Sequence, residues 1–329
     1  MTTIAARPEA AHDGGTLPRF GMAWVTWRQH RSALAGMAVL LGGLSLLMLI
    51  NGLRMRATLS SLGLNACHPV TIARCAAQLS IFDNAYSRWG HAIPGLFQAV
   101  PVLVGAFMGG PLLAREFESG TFRFAWTQGT GRVRWVVAKL VLIAAVVTAA
   151  SAAFSLLFSW WYRPFFAAGG SLMTPAIFDL SGVAFAAWTL AAFALGVFAG
   201  TAIHRSVPAI AAAMAAWAGL AAATVLYLRP AYQAPIVIRQ VSTIHKLPHG
   251  IVIDTSVAGP PRAWIIQSWV GSPPGTPHLA MLNAVRTGWT KYQPESRFWH
   301  FQLIEAGWLL ALALLLGAAT VWLVRRRAA

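Results

Sequence analysis

The chain has 329 residues, 57% of them apolar and only 10% charged, with 25 Lys+Arg against 9 Asp+Glu. Soluble domains carry about 25% charged residues, so this composition excludes a soluble globular fold, and equally a disordered, collagen-like, coiled-coil or disulfide-dense secreted chain. Fifteen tryptophans and seventeen phenylalanines add the aromatic bulk found at membrane interfaces, and the class that remains is a polytopic membrane protein.

Residues 1–18 read as a disordered cytoplasmic tail. Over 19–31, Phe20, Trp24 and Trp27 recur at i, i+4 and i+7, with Arg28, Gln29 and His30 on other faces. That is the pattern of a short amphipathic helix in the inner headgroup region; a plain aromatic anchor fits the same residues. A spanning helix needs roughly 20 consecutive apolar residues. Six runs qualify: Ala33–Leu53, His91–Ala114, Val136–Tyr162, Gly182–His204, Pro208–Leu228 and Trp299–Val324. They are continuous rather than alternating, which makes them helices and not barrel strands. The first follows a long arginine-containing leader without a small-residue cleavage site and reads as a signal anchor.

The expected fold class is an all-α polytopic membrane protein of six transmembrane helices. Helices 1–5 occupy 32–228, with an outer loop at 54–90 and an inner segment at 115–135. An extracytoplasmic cap over 229–298 precedes the last helix and its basic end at 299–329. With the N-terminus inside, the inner segments hold Arg7, Arg19, Arg28, Arg31, Arg115, Arg123, Arg132, Arg134, Arg205 and Arg325–Arg327. The two shorter outer loops hold Arg54, Arg56, Arg74, Arg88 and Arg163. The excess on the first side puts both termini in the cytoplasm of a plasma-membrane, multi-pass protein.

Both cysteines, Cys67 and Cys75, fall in the first outer loop, facing an oxidising compartment. A local disulfide is expected there, the alternative being two free thiols. The proline-rich cap, with apolar runs such as Ile236–Ile238 and Trp264–Ile266, reads as a small ordered unit of short helices or strands. His245 and His249 stand four apart inside it, but Pro248 interrupts the helix a metal pair would need, so no metal site is expected. Intramembrane ionisable groups are the default functional suspects, and only Lys139 and Glu305 qualify. Lys139, about one helical turn inside the inner boundary, is expected to snorkel to water. Glu305 either faces a substrate path or bonds a neighbouring span, the structural role being the preferred one.

The inner segment REFESGTFRFAWTQGTGRVRW, Arg115–Trp135, is the most informative stretch. Glu116 and Glu118 are its only acids, Gly120 breaks the preceding helix, and Thr121 can cap a short helix over Phe122–Gln128 with Phe122 and Trp126 on one face. Acids, Arg123, Arg132 and aromatics on a short interfacial helix suit docking to a soluble partner; a solvated basic loop is the alternative.

The run LAREFESGTFRFAWTQGTGRVRWVVAKL resembles the signature region of ABC-2 type transporter permeases, in particular the six-span actinobacterial ones. The matching residues are Glu116, Glu118, Gly120, Thr121, Trp126, Thr127, Gln128, Arg132 and Trp135. The resemblance implies a type V (ABCG-like) exporter membrane domain, with 115–135 as the coupling helix and the leader (Phe20, Trp24, Trp27, Arg28) as the connecting helix. It implies a second permease subunit, a homodimer being expected, and a separate ATPase subunit in two copies. ATP and Mg²⁺ would be bound by that partner, since no G-x-x-x-x-G-K-[ST] phosphate loop occurs in the chain. No cofactor, catalytic residue, metal ligand or nucleic-acid partner is expected in the chain itself; membrane lipid is.

By the same resemblance, spans two and five line the central path, which makes Phe97, Gln98, Pro101, Met108, Met214 and Trp217 candidate lining residues. Read without it, they and the Gly105/Gly109 pair are ordinary helix packing. The mostly apolar spans suit an amphipathic or lipophilic cargo (drug, antibiotic, peptide or lipid) exported outward. Two alternatives are a sensing or immunity component without turnover and a membrane-embedded transferase. The second is disfavoured because Asp83, Asp179, Asp254 and Glu295 are single and scattered.

Overall fold

A computed structural model describes residues 20–64, 73–119, 132–166, 170–247, 250–255, 262–271 and 285–327. Among them, five helical stretches are long and apolar enough to cross a membrane: Ala77–Glu118, Val133–Phe166, Ala184–Ile203, Ser206–Ala231 and Glu295–Arg326. In hydrocarbon every backbone N–H and C=O must be paired within the segment, and a helix achieves this locally. Ahead of these five, α1 (Phe20–Ser61) is one unbroken helix of 42 residues that contains the apolar run Ala33–Leu53. The expected amphipathic segment and first span are thus one rod.

The second stretch is assembled from α2 (Ala73–Phe97), α3 (Ala99–Val104), a π-helical turn (Gly105–Gly109) and α4 (Gly110–Ser119). Pro94 and Pro101 remove backbone donors here, and such losses are where helices change pitch. Helix α5 (Arg132–Tyr162) runs into a 3₁₀ turn, Arg163–Phe166, and the short α6 (Pro175–Leu180) follows, with Pro175 at its first turn. A tight hairpin joins α7 (Ala184–Ile203) to α8 (Ser206–Ala223); His204, left-handed at φ 60°, closes α7 by donating its N–H to the Gly200 carbonyl. A second π turn, Thr224–Leu228, leads to the single turn α9 (Arg229–Ala231), and α10 (Phe298–Arg327) ends the described chain.

Helix α7 is the hub, packing against α3, the first π turn, α4, α5, α8 and α10. Its closest crossing is glycine on glycine. A Cβ on Gly196 would stand 2.0 Å from the Gly105 carbonyl oxygen, and one on Gly200 2.2 Å from that of Gly110. Cβs on Gly105 and Gly109 would strike Ala192 O at 2.4 Å and Phe193 O at 2.5 Å. Glycine alone lets the backbones meet. One core cluster, with Phe97, Phe154, Phe158, Trp161 and Phe185, lies among α1–α7 and reaches Val324 on α10; another, with Phe178, Trp188, Phe301 and Leu309, joins α6, α7 and α10.

The all-α expectation holds for the helical stretches and needs one correction. Between α9 and α10 the chain forms four strands, β1 (Ile236–Leu247), β2 (Gly250–Thr255), β3 (Ala263–Gly271) and β4 (Val285–Pro294). They make one antiparallel sheet in the order β2-β1-β4-β3, with a bulge between Ile265 and Gln267. Its β-branched and aromatic runs favour strands. The sheet is tied to the bundle where Gln293 Nε2 donates to Gln233 O (2.7 Å), Arg297 Nη1 to Ala234 O (2.8 Å) and Arg262 Nη2 to Phe166 O (3.2 Å). The expected outer loop 54–90 is also helical at both ends, since α1 runs to Ser61 and α2 begins at Ala73. Residues 1–18 and Cys67 lie outside the described residues; Cys75 is buried.

Candidate functional site

Polar side chains enter the apolar bundle at its two ends. At the end where α4 stops, α5 begins and the α7–α8 hairpin turns, Glu116 on α4 meets Lys139 on α5. Lys139 Nζ lies 2.5 Å from Glu116 Oε1 and 3.4 Å from the Leu112 carbonyl, and 5.2 Å from the centre of the Trp135 ring. Lys139 is 3% exposed, so the expected snorkelling is corrected: a lysine this deep in low dielectric is held by a carboxylate rather than by reaching water. Two residues on, Glu118 Oε2 accepts from Ser206 Oγ (2.8 Å) and Ser206 N–H (3.3 Å). A carboxylate there satisfies a free donor of the first turn of α8 and complements the positive end of its dipole. The Phe117 ring packs edge-on against His204, centroids 4.9 Å apart. The end of α4 is thereby fastened to both α5 and the hairpin.

Of the remaining residues read as ATPase-coupling, Gly120, Thr121, Phe122, Arg123, Trp126 and Gln128 lie outside the described residues, and Arg132 is seen only as the first residue of α5. Phe20, Trp24, Trp27 and Arg28 fall on the first turns of α1, their side chains outside the description.

At the opposite end, three spans and α6 converge on Arg229, 1% exposed at the foot of the sheet. Its Nε lies 2.9 Å from Glu305 Oε2 and its Nη2 2.6 Å from Glu305 Oε1, a two-pronged pair; Nη2 also donates to Asp179 of α6. Glu305, fully buried on α10, accepts further from Trp188 Nε1 (2.7 Å) on α7 and the Tyr232 hydroxyl (3.3 Å). Trp308 Nε1 donates to that hydroxyl at 2.8 Å, and the Phe178 ring lies under the guanidinium at 4.5 Å. Arg229 Nη1 is buried without a partner among the described residues, as is Trp217 Nε1.

Two carboxylates share one guanidinium, so the cluster is one charge short of neutrality. Burial pushes Asp179 up to about 6; the opposing pull of Arg229 is partly undone by the second carboxylate, Glu305. Tyr232 is raised by burial first and by the Glu305 charge second. The scattered-acid reading is therefore corrected for Asp179. It sits far from Glu305 in sequence but shares its cation. Glu305 takes the structural role preferred for it, with Arg229 the partner that sequence reasoning missed. The available signal was an arginine at the end of the fifth apolar run, beside an acid near the same end of the sixth.

The six candidate path residues separate. Phe97, Pro101 and Met108 are buried inside the chain's own packing, Phe97 edge-on to Phe154 at 4.9 Å. Gln98 donates to Ala176 O (3.0 Å) and hydrogen-bonds Asp179, tying α6 to the second stretch. Met214 is 42% exposed on α8, and Trp217 packs on Trp188, centroids 6.1 Å apart. The Gly105/Gly109 pair packs within the chain, against Ala192, Phe193 and Gly196 of α7, while Gly200 on the same helix meets Gly110.

Five apolar helical stretches, with the buried Lys139 and Arg229 each held by carboxylates, define a multi-pass membrane protein. Residues 37–229 match the family described as ABC-2 membrane transporter related. That is more than half of the chain, and the chain belongs to this family: it is a membrane transporter permease component, of a kind that pairs with ABC ATPase subunits. No curated protein and no solved structure matches it.

Proposed function

We propose that the chain is the membrane subunit of a type V (ABCG-like) exporter resembling the six-span actinobacterial permeases. It moves an amphipathic or lipophilic cargo outward on ATP hydrolysed by a separate nucleotide-binding subunit. In this reading α1 supplies the first of six spans, both termini face the cytoplasm, and β1–β4 form the outer cap, below which Cys67 and Cys75 close a disulfide. Two copies of the chain surround a path and rest on two ATPase subunits, which hold ATP and Mg²⁺.

The observation that carries the reading is the family match over 37–229, in which the end of α4 is fastened to α5 by Glu116–Lys139 and to α8 by Glu118–Ser206. The segment 115–135 is then the coupling element. Its residues Gly120–Arg132 meet the ATPase, and Glu116 and Glu118 act as positioning residues that pass the stroke into two helices at once. A short element bonded to both neighbours moves them together, whereas a loose loop would absorb the displacement.

The test is co-reconstitution in proteoliposomes with the ATPase subunit expected in an adjacent reading frame. Cargo-stimulated ATP hydrolysis and ATP-dependent uptake of a lipophilic dye into inside-out vesicles are the expected results. Glu116→Gln with Lys139→Met removes the pair without stranding a buried charge; it should insert normally and lose most of the stimulation. Unchanged stimulation would remove the coupling claim, and pumping by this chain alone would overturn the reading. ATP binding by the partner without any turnover would favour a sensing role.

A further inference from the structure

Along the face shared by α5, α7 and α10 runs an open-sided groove of about 400 Å³. Its floor is Phe193 and Val197 of α7, 3% and 2% exposed, while its walls, Val141 and Leu314, are 62% and 75% exposed. The groove exists because the residues between those walls are small: Ala144, Ala194, Ala313 and Gly317. A Cβ placed on Gly317 meets no protein atom within 4 Å. The one hydroxyl in the lining, on Thr320, is turned back onto its own helix, donating to Leu316 O at 2.8 Å. Nothing in the lining asks for water or for a polar ligand, and it belongs to three of the stretches that cross the membrane.

One end of this groove carries charge. Arg134 precedes Val137 and Val141 on α5 by three and seven residues, and Arg325 follows Val321 on α10 by four, so both continue the helix faces that line the groove. Both arginines are exposed, and Arg326 beside them stacks on Trp322 with its Cζ 4.3 Å from the ring centre. No carboxylate stands in the last turn of α10 or the first of α5. The other end of the groove stops at Leu310 and Leu190, in mid-bundle, with no charge. A purely apolar slot half a membrane deep, ending in exposed arginines at the interface, matches one chemistry: acyl chains with an anionic headgroup.

We propose that the groove between α5, α7 and α10 is a binding site for one anionic phospholipid, its chains against Phe193, Val197 and Gly317 and its phosphate on Arg134 and Arg325. The stacked Trp322–Arg326 pair supplies the interfacial platform at the headgroup level. Basic groups next to a span select anionic lipids by charge and decide which lipid fills the slot. In the orientation proposed above, the site opens to the inner leaflet; the binding itself does not depend on transport.

The test uses the full chain purified from vesicles of equal phosphatidylglycerol and phosphatidylcholine, with retained lipid counted by native mass spectrometry. Phosphatidylglycerol should exceed phosphatidylcholine several-fold on the unaltered chain. Arg134→Gln with Arg325→Gln should bring the ratio near one while lipid is still retained. Gly317→Leu, whose Cβ would meet no protein atom within 4 Å and whose longer side chain occupies groove space, should lower retention of both lipids with the arginines intact. Equal retention of the two lipids by the unaltered chain would overturn the proposal. So would wild-type enrichment in both variants. A Gly317→Leu chain that keeps its lipid but loses self-association would overturn it too, by assigning the groove to a second copy. None of these readouts involves turnover, so the exporter reading stands or falls separately.

Discussion

Arg229 is where the bundle is most sensitive to a single change. It satisfies Glu305 twice and Asp179 once from a position 1% exposed, and removing one partner of a buried ion pair costs about 3–5 kcal/mol because the other is left charged and dry. Arg229→Met is expected to lower the melting temperature of the solubilised protein sharply. The triple change Arg229→Met, Glu305→Gln, Asp179→Asn should recover most of that loss, since no charge is then stranded. A single variant as stable as the parent would show the pair to be dispensable. Asp179 adds a pH dependence. Its carboxyl is raised from 3.8 to about 6 in the folded protein, so the folded state holds that proton more tightly than the unfolded one. Its contribution is fully present below about pH 4 and is lost as pH rises through about 6. Thermal melts from pH 4.5 to 7 should drift downward by a few degrees from this residue, and Asp179→Asn should flatten that part of the slope.

At the scale of elements, the α7 crossing is decided by backbone contact. A methyl group on Gly196 would stand 2.0 Å from the Gly105 carbonyl oxygen, which is main chain and has little room to retreat. Overpacking of this kind costs about 1–3 kcal/mol even where side chains can shift, so Gly196→Ala should destabilise by at least that amount. Gly219→Ala on α8, where a Cβ meets nothing within 4 Å, is the matched control and should be neutral or slightly stabilising. Equal melting temperatures for the two would refute the close crossing. The i, i+4 glycine spacing was legible at Gly105/Gly109; the partner was not, because small-residue spacing identifies a face that admits close approach without saying which helix approaches.

At the scale of the whole molecule, the sheet and the basic end of α10 mark opposite ends of the chain's membrane-crossing part. In the orientation proposed above, Arg325–Arg327 lie inside and the sheet outside. With Cys67 and Cys75 replaced by serine, a cysteine at the exposed Gln267 of β3 should react with an impermeant maleimide on intact cells. A cysteine at Arg325 should react only after permeabilisation. The reverse pattern would invert the orientation.

Apolar runs of twenty residues can only be helices in hydrocarbon, so five of the expected spans, their order and the membrane class followed from the sequence alone, as did the family through the residues around Glu116 and Glu118. Tertiary structure decided what the charged residues do. Lys139 and Glu116 are 23 residues apart, Glu118 and Ser206 88, and Arg229 and Glu305 76. Hydropathy weighs each residue by its own transfer cost, while a buried charge is stabilised only by a partner that folding brings to it. Over 236–294 the sequence left short helices and strands both open for a related reason: the apolar runs are too brief to show a period, and the pairing of β1 with β4 that makes them strands spans the whole segment.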